Sequence, residues 1–416
     1  MKRANVGPWI RVVSLVAGIL PFAASSAAPA TVVVGTGNPN IDVPAVQAAV
    51  DQGGEVVLQG YFSFRKSPTV VTALAGYPSA TVRVSKAVAI SGPPGEGDGV
   101  TTINGGTIPF YVEAPGAAVT IRGLRFVRPT AEALLVYAAS GLLVASCSIQ
   151  GVVPLLNFGS TAIDIDTIGN IPTPMQPGNP GSISGRLLIV DNDIDVAGGT
   201  TGDDTVGLIL WSVGMPGAEV EAHIARNIFG NFNEKGINIR QAVGRVYVEQ
   251  NRLTSDTLMG PSPGATGIFV ANLGTYVVAH NSVHSRWVTG SGFGIDVRSQ
   301  IPTWLITGAS IVGNDVFMDA PAGTVFGSNS AGIEIQGYAQ GNALLDNTIR
   351  GRAGAALMVN PPSSRPSANN TAAFNRFDDF EASVADVFVS ASASNTLLLG
   401  QKGTVDDQGT NTVIAP

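Results

Sequence analysis

From about residue 117 onward, hydrophobic and polar positions fall into two short phrases that alternate along the chain. The first is Gly-Ile-x-Val or a close variant: AIDI from Ala162, GLIL from Gly207, GINI from Gly236, GIFV from Gly267, GIDV from Gly294, GIEI from Gly332 and ALMV from Ala356. The second is apolar-x-x-Asn-x-apolar, centred on Cys147, Asn192, Asn227, Asn251, Asn281, Asn314, Asn347 and Asn375. The mean step between these centres is about 33 residues, in the range of stacked repeat architectures. Within each phrase the alternation has the period of a β-strand, so Val and Ile point to one side and the x residue to the other. An Asn at the bend between strands satisfies turn amides, because its side chain both donates and accepts. One Asn per turn of the chain makes a ladder, and its role is structural. The pattern predicts an all-β chain folded as a single right-handed parallel β-helix, a solenoid of roughly ten to twelve coils. Leucine-rich repeats share part of the Asn phrase, but they are shorter, prefer Leu and lack the second strand phrase. The signature residues of a propeller are absent.

The chain divides into three stretches. In residues 1–30, Lys2, Arg3 and Arg11 precede an apolar run, Val12 to Ala24, and small residues follow, the order of a secretory signal peptide. That run is shorter than the roughly 18 residues a membrane span requires. Residues 31–110 read as an N-terminal cap and the first coils, with a short capping helix over 42–51 that starts at Asp42 as N-cap and stops at Gly53-Gly54. Residues 111–416 carry the legible coils. The formal net charge of −7 becomes −10 once the three basic leader residues are removed, which argues against nucleic-acid and anionic-membrane partners. Cys147 is the only cysteine, so no internal disulfide forms, and its place in the ladder marks it as a small packed side chain. The localisation expected is secreted, periplasmic or cell-surface.

The segment VPAVQAAVDQGGEVVLQGYFSF, Val43 to Phe64, resembles the entry segment of pectate-lyase-like right-handed β-helix proteins, in which a short helix leads through glycines into the first coil. VRVSKAVAISG (Val82 to Gly92), TTINGG (Thr101 to Gly106) and VTIRGLRFV (Val119 to Val127) resemble the early coils of that superfamily. These motifs imply a fold and not an activity. A narrower likeness lies at Gly202-Asp203-Asp204-Thr205-Val206, which resembles the GDD-plus-strand motif of polygalacturonases. Neither their Asn-Thr-Asp triplet nor their Gly-His-Gly is present, and a plain turn also accounts for the segment.

Candidate chemistry lies on the outward positions of the Gly-Ile-x-Val strands. In coil order these are Asp164 and Asp166, Ile209 and Trp211, Asn238 and Arg240, Phe269 and Ala271, Asp296 and Arg298, Glu334 and Gln336, Met358 and Asn360. Asp296 and Glu334 fall in the same slot of neighbouring coils, roughly 5 Å apart at their Cβ atoms and facing solvent. Such a pair suits acid and base or nucleophile roles on a glycosidic bond. Arg240 and Arg298 would hold an anionic sugar, and Trp211 and Phe269 would stack on it. Asp203 and Asp204 are the second catalytic candidates. Calcium is the one cofactor considered, at Asp191, Asp193 or Asp203-Asp204, because hard cations take clustered carboxylates. No other metal site is expected: the three histidines, His223, His280 and His284, lack zinc-like partners. The function expected is an exported protein that binds, and cleaves or epimerises, a polysaccharide along this face, as a polysaccharide lyase or glycoside hydrolase. The alternative is a non-catalytic adhesion or structural envelope protein.

Overall fold

The computed structural model describes residues 29–65, 80–93, 100–154, 160–166, 183–196, 205–255, 265–286, 292–321, 324, 326, 330–360 and 364–416. The leader and the Asp203-Asp204 turn lie outside the described residues. Within them, 34 strands join into one continuous array and every strand pairing is parallel. Each coil pairs with the coils before and after it, which is the architecture of a parallel β-helix. The strands stack into three faces. Sheet 1 holds the Gly-Ile-x-Val phrases, including Ser160–Asp166, Thr205–Val213, Lys235–Ala242, Ala265–Ala271, Gly292–Ser299 and Ala331–Gly337. Sheet 2 holds the strands before each Asn, and sheet 3 the short strands after it.

The core is the inward half of the alternation. Ile163 and Ile165, Ile237 and Ile239, Ile295 and Val297, and Ile333 and Ile335 are all fully buried. The leading glycine of the sheet 1 phrase is a packing requirement. A Cβ on Gly294 would sit 2.2 Å from Val316 Cγ1 and 2.6 Å from the Gly332 carbonyl oxygen, and Gly236, Gly267 and Gly332 are similarly crowded by a sheet 3 side chain and the next coil's carbonyl. We expect Gly294→Ala to lose about 2–3 kcal/mol of stability through overpacking. Gly230→Ala, whose Cβ would meet nothing nearer than 3.9 Å, is expected to change stability by less than about 0.5 kcal/mol. Urea melts of the two variants check this, and equal losses would overturn it.

Between sheets 2 and 3 the connection has a fixed form from residue 146 to 375. A residue in the left-handed region (Ser146, Asp191, Arg226, Gln250, His280, Gly313, Asp346 and Phe374, φ from 51 to 63°) precedes each ladder position. The ladder itself is continuous. Asn281 accepts from the backbone N and Nδ2 of Asn251, and its own Nδ2 donates to the Val248 carbonyl and to Asn314 Oδ1, each at 2.8 to 3.0 Å. The same set runs from Asn192 to Asn375, all of them buried. Cys147 begins it: its backbone N donates to Asn192 Oδ1, and its thiol lies 3.7 Å from the Ile121 carbonyl, the place where an Asn Nδ2 would donate. Burial pushes that thiol up to about 11, which keeps it protonated. Asn342 and Asn370 start a second, shorter ladder at the bend between sheets 1 and 2.

The capping helix spans Pro39–Gln52, earlier than the sequence pattern predicts. Asn38, not Asp42, is the N-cap, accepting from the Asn40 backbone N. Asp42 is buried instead, where one carboxylate oxygen accepts from Thr36 N and Oγ1 and the other from Ser63 N. It ties the helix to the first coil, so the residue type that marks an N-cap here serves a tertiary contact. Val43, Val46, Ala49 and Val50 form the buried face that covers the N-terminal end of the stack, each valine contributing roughly 1.5–3 kcal/mol by burial. Among the described residues no helix is long and apolar enough to cross a membrane.

Candidate functional site

Register puts the outward residues of sheet 1 into two columns. Asp164, Ile209, Asn238, Phe269, Asp296, Glu334 and Met358 are successive partners in one. Asp166, Trp211, Arg240, Ala271, Arg298 and Gln336 are successive partners in the other. Asp296 and Glu334 therefore face the same direction on adjacent coils, with Arg298 beside them. His223 pairs with Tyr247 on sheet 2, away from this face, and their rings stack at 4.7 Å.

One expectation is corrected. Asp296 and Glu334 do not stand free in solvent; they are 1% and 0% exposed. Strand alternation decides which side of the sheet a residue takes, not whether that side is covered. Here the long side chains of the second column lean across the first. Trp211, Arg240, Arg298 and Gln336 are half-buried and form an accessible rim over a buried floor.

On that floor Arg298 joins the two carboxyl groups. A guanidinium N donates to Asp296 Oδ2 at 2.7 Å and lies 3.8 Å from Glu334 Oε2. Those two oxygens are thus no more than about 6.5 Å apart, the sum of the two distances, within the span of carboxyl pairs that act across a glycosidic bond. Burial and the neighbouring Asp296 charge hold Glu334 well above the usual carboxylate range, against the pull of Arg298. Burial also raises Asp296, but the hydrogen-bonded Arg298 and the nearby Lys235 and Arg240 oppose it. Both carboxyls are raised, Glu334 the further, so within the pair Glu334 holds its proton more tightly than Asp296. Among the described residues Asp296 Oδ1 has no hydrogen-bond partner.

Next to the pair, Phe269 is also buried, at 4% exposure, and ringed by cations, so it does not present the free stacking face expected of it. Arg240, Arg298 and Lys235 lie 5.2, 5.6 and 5.6 Å from its ring centre, and Arg240 also lies 4.9 Å from the Trp211 ring. Arg240 donates through Nε to Asn238, and its burial lowers its pKa from the ordinary arginine value. Lys235 is paired with Glu234 and Arg298 with Asp296, so Arg240, between the Trp211 and Phe269 rings, is the cation of the three that makes no ion pair among the described residues.

Sequence reasoning missed Glu132 and Lys235. Glu132 is buried near Asp164 and Asp166, and burial plus their charges raises its carboxyl and that of Asp164 well above normal. Among the described residues Glu132 Oε2 and Asp164 Oδ1 have no hydrogen-bond partner. Glu132 sits one strand before the first clear sheet 1 phrase, and Lys235 one residue before a phrase, so neither falls on a template position. Asp191, a calcium candidate, is paired with Arg226 at 2.7 and 2.8 Å. Among the described residues no three His, Cys, Asp or Glu side chains are grouped to hold a metal ion.

Neither a protein-family model nor a curated protein sequence matches the chain. Solved structures do. The Azotobacter vinelandii mannuronan C-5 epimerase AlgE4 A-module matches with a TM-score of 0.57 at 13% identity, over 91% of this chain and 97% of that one. PfbA, a surface adhesin of Streptococcus pneumoniae, matches at 0.47 and 10% identity, over 91% of each chain. A mannuronic acid-specific polysaccharide family 6 lyase from human gut microbiota matches at 0.33 and 13% identity, over 92% of this chain and 83% of that one. At 13% identity the likeness to the epimerase module speaks for the backbone alone, and it agrees with the coil stacking described above: the fold is a parallel β-helix.

Proposed function

We propose that this chain is an exported carbohydrate-active protein that binds an acidic polysaccharide along sheet 1 and acts on it through Asp296 and Glu334. The observation that carries this reading is the buried carboxyl pair bridged by Arg298, set beside the Phe269 ring and its three cations. Arg240 and Arg298 neutralise sugar carboxylates, while the half-buried Trp211 offers a ring face for stacking. Glu334, which holds its proton more tightly, is the acid of the pair and Asp296 the base. That division of labour serves glycosidic hydrolysis, and it equally serves proton abstraction beside a sugar carboxylate. The epimerase whose fold resembles this one acts on mannuronan, which makes an acidic polymer the first substrate class to try. Asp203 and Asp204 remain second candidates.

The test is a panel of acidic and neutral polysaccharides, scored separately for new reducing ends, unsaturated products and inverted stereocentres by NMR. Turnover on an acidic polymer, lost on salt addition as the arginine contacts are screened, is the expected result. The near-complete burial of Asp296 and Glu334 favours a second reading, a non-catalytic binding or adhesion module. Retention on an immobilised acidic glycan with no product of any kind would establish that one. Neither retention nor turnover would overturn both.

A further inference from the structure

Sheet 3 of the same coils carries a separate open cavity of about 180 Å³, lined by Arg252, Thr254, Ser282, His284, Asp315, Phe317 and Arg350. Its shape follows from register. Arg252, Ser282 and Asp315 are successive partners in one outward column, and Thr254, His284, Phe317 and Arg350 in the next. The short side chains of Ser282 and Thr254 leave a step, with Arg252 and Asp315 about 9.6 Å apart across it at two coil spacings. His284 and Phe317 form an aromatic wall, their ring centres 4.9 Å apart.

The charges are unequally committed. Asp315 is held by Arg350 at 2.8 Å to each oxygen, which fixes it as an oriented acceptor with lone pairs to spare. His284 and Arg286 both approach Asp319. Arg252 is exposed and makes no ion pair among the described residues. A cationic fork without a carboxylate, a fixed acceptor, two hydroxyls and an aromatic wall around one ring-sized space describe a sugar site.

The geometry points to a second glycan subsite here, taking one pyranose unit that bears a carboxylate. Arg252 receives the carboxylate, Asp315 and Ser282 the ring hydroxyls, and Phe317 lies against the ring. This rests on the same premise as the sheet 1 reading, that the chain handles acidic glycans, but on a different face. With both faces engaged, a polymer is held at two places and retention exceeds either contact alone.

Titration of the full chain with sodium glucuronate and with methyl glucoside, followed by saturation-transfer NMR, tests it. Glucuronate is expected to bind and the glucoside to bind more weakly. Arg252→Ala and Phe317→Ala are each expected to weaken glucuronate binding at least about tenfold. Both side chains are exposed, so circular dichroism should be unchanged, and Trp211→Ala should leave glucuronate binding at this pocket intact. With sheet 1 silenced by Trp211→Ala and Arg240→Ala, glucuronate binding that survives Arg252→Ala and Phe317→Ala overturns the subsite, and equal binding of the glucoside overturns its preference for a carboxylate. If acidic polymer binds the wild type through Trp211 and Arg240 while glucuronate does not bind, the subsite fails and the sheet 1 reading stands. If neither ligand binds, both fall.

Discussion

Glu334→Gln is expected to lower turnover of an acidic polysaccharide by roughly a hundredfold to ten-thousandfold, the usual worth of a positioned proton donor, while leaving the fold at least as stable at neutral pH. The reason lies in its protonation. Burial and the Asp296 charge raise its pKa well above the ordinary 4.5, so the folded state binds its proton more tightly than the unfolded chain does. Stability from this group is therefore fully present below about 4.5 and is lost as pH rises through the higher folded value. Glutamine has the shape of the protonated acid and cannot ionise, so the variant should escape that loss. Asp296→Asn should also remove turnover, but it takes the charge partner from Arg298, which donates to it at 2.7 Å. That variant should be less stable than Glu334→Gln at pH 7. Product assays and urea melts at pH 5 and pH 8 separate the effects. Full activity in both variants would place the chemistry elsewhere, with Asp203→Asn and Asp204→Asn the next to try.

The largest effect on stability is expected from Asn281→Ala. Alanine takes away the acceptor for both Asn251 donors and one donor each from the Val248 carbonyl and Asn314 Oδ1. All of these groups are buried in the ladder. At about 1–3 kcal/mol for each donor left unsatisfied, the loss is roughly 3–6 kcal/mol after partial relaxation. Because each coil touches only its neighbours, the break lies in mid-stack and should make unfolding less cooperative. A single urea transition at the wild-type midpoint would contradict this. Exposed Asn369, on the outer surface of a bend, provides a comparison: Asn369→Ala removes one side-chain contact with Asn395 and adds strain at its left-handed backbone (φ 58°), and should cost roughly 1–2 kcal/mol.

Most of the fold was legible because a parallel β-helix writes its geometry into the sequence once per coil. The Asn ladder, the inward Ile and Val pairs and the adjacency of Asp296 and Glu334 all follow from register, and register follows from repetition. The cap was less legible. Asn38 and Asp42 are both capping residue types, and only the tertiary bonds from Thr36 and Ser63 decide between them. At the site, alternation placed Asp296, Glu334, Arg298, Arg240, Phe269 and Trp211 on one face, and the structure groups them there. It gave no warning that the carboxyl pair is roofed by Arg298, since cover depends on side-chain lengths in neighbouring coils. Glu132 and Lys235 were invisible for a different reason: Glu132 lies a coil before the first clear phrase and Lys235 just before one, so neither occupies a template position.

The two-residue bend before sheet 3 keeps its form from Ser146-Cys147 to Phe374-Asn375, while the other two connections in each coil vary in length. The protein thus has a spine along one edge and editable margins along the other two. Lengthening a marginal loop alters what borders sheet 1 without disturbing the stack, whereas one residue added at the spine would misplace a rung of the ladder. Inserting a whole coil, spine bend included, would lengthen the sheet 1 face by about 4.8 Å and leave every existing contact but one interface as it was. On the proposed function, coil number acts as a ruler for how much of a polymer the sheet 1 face spans.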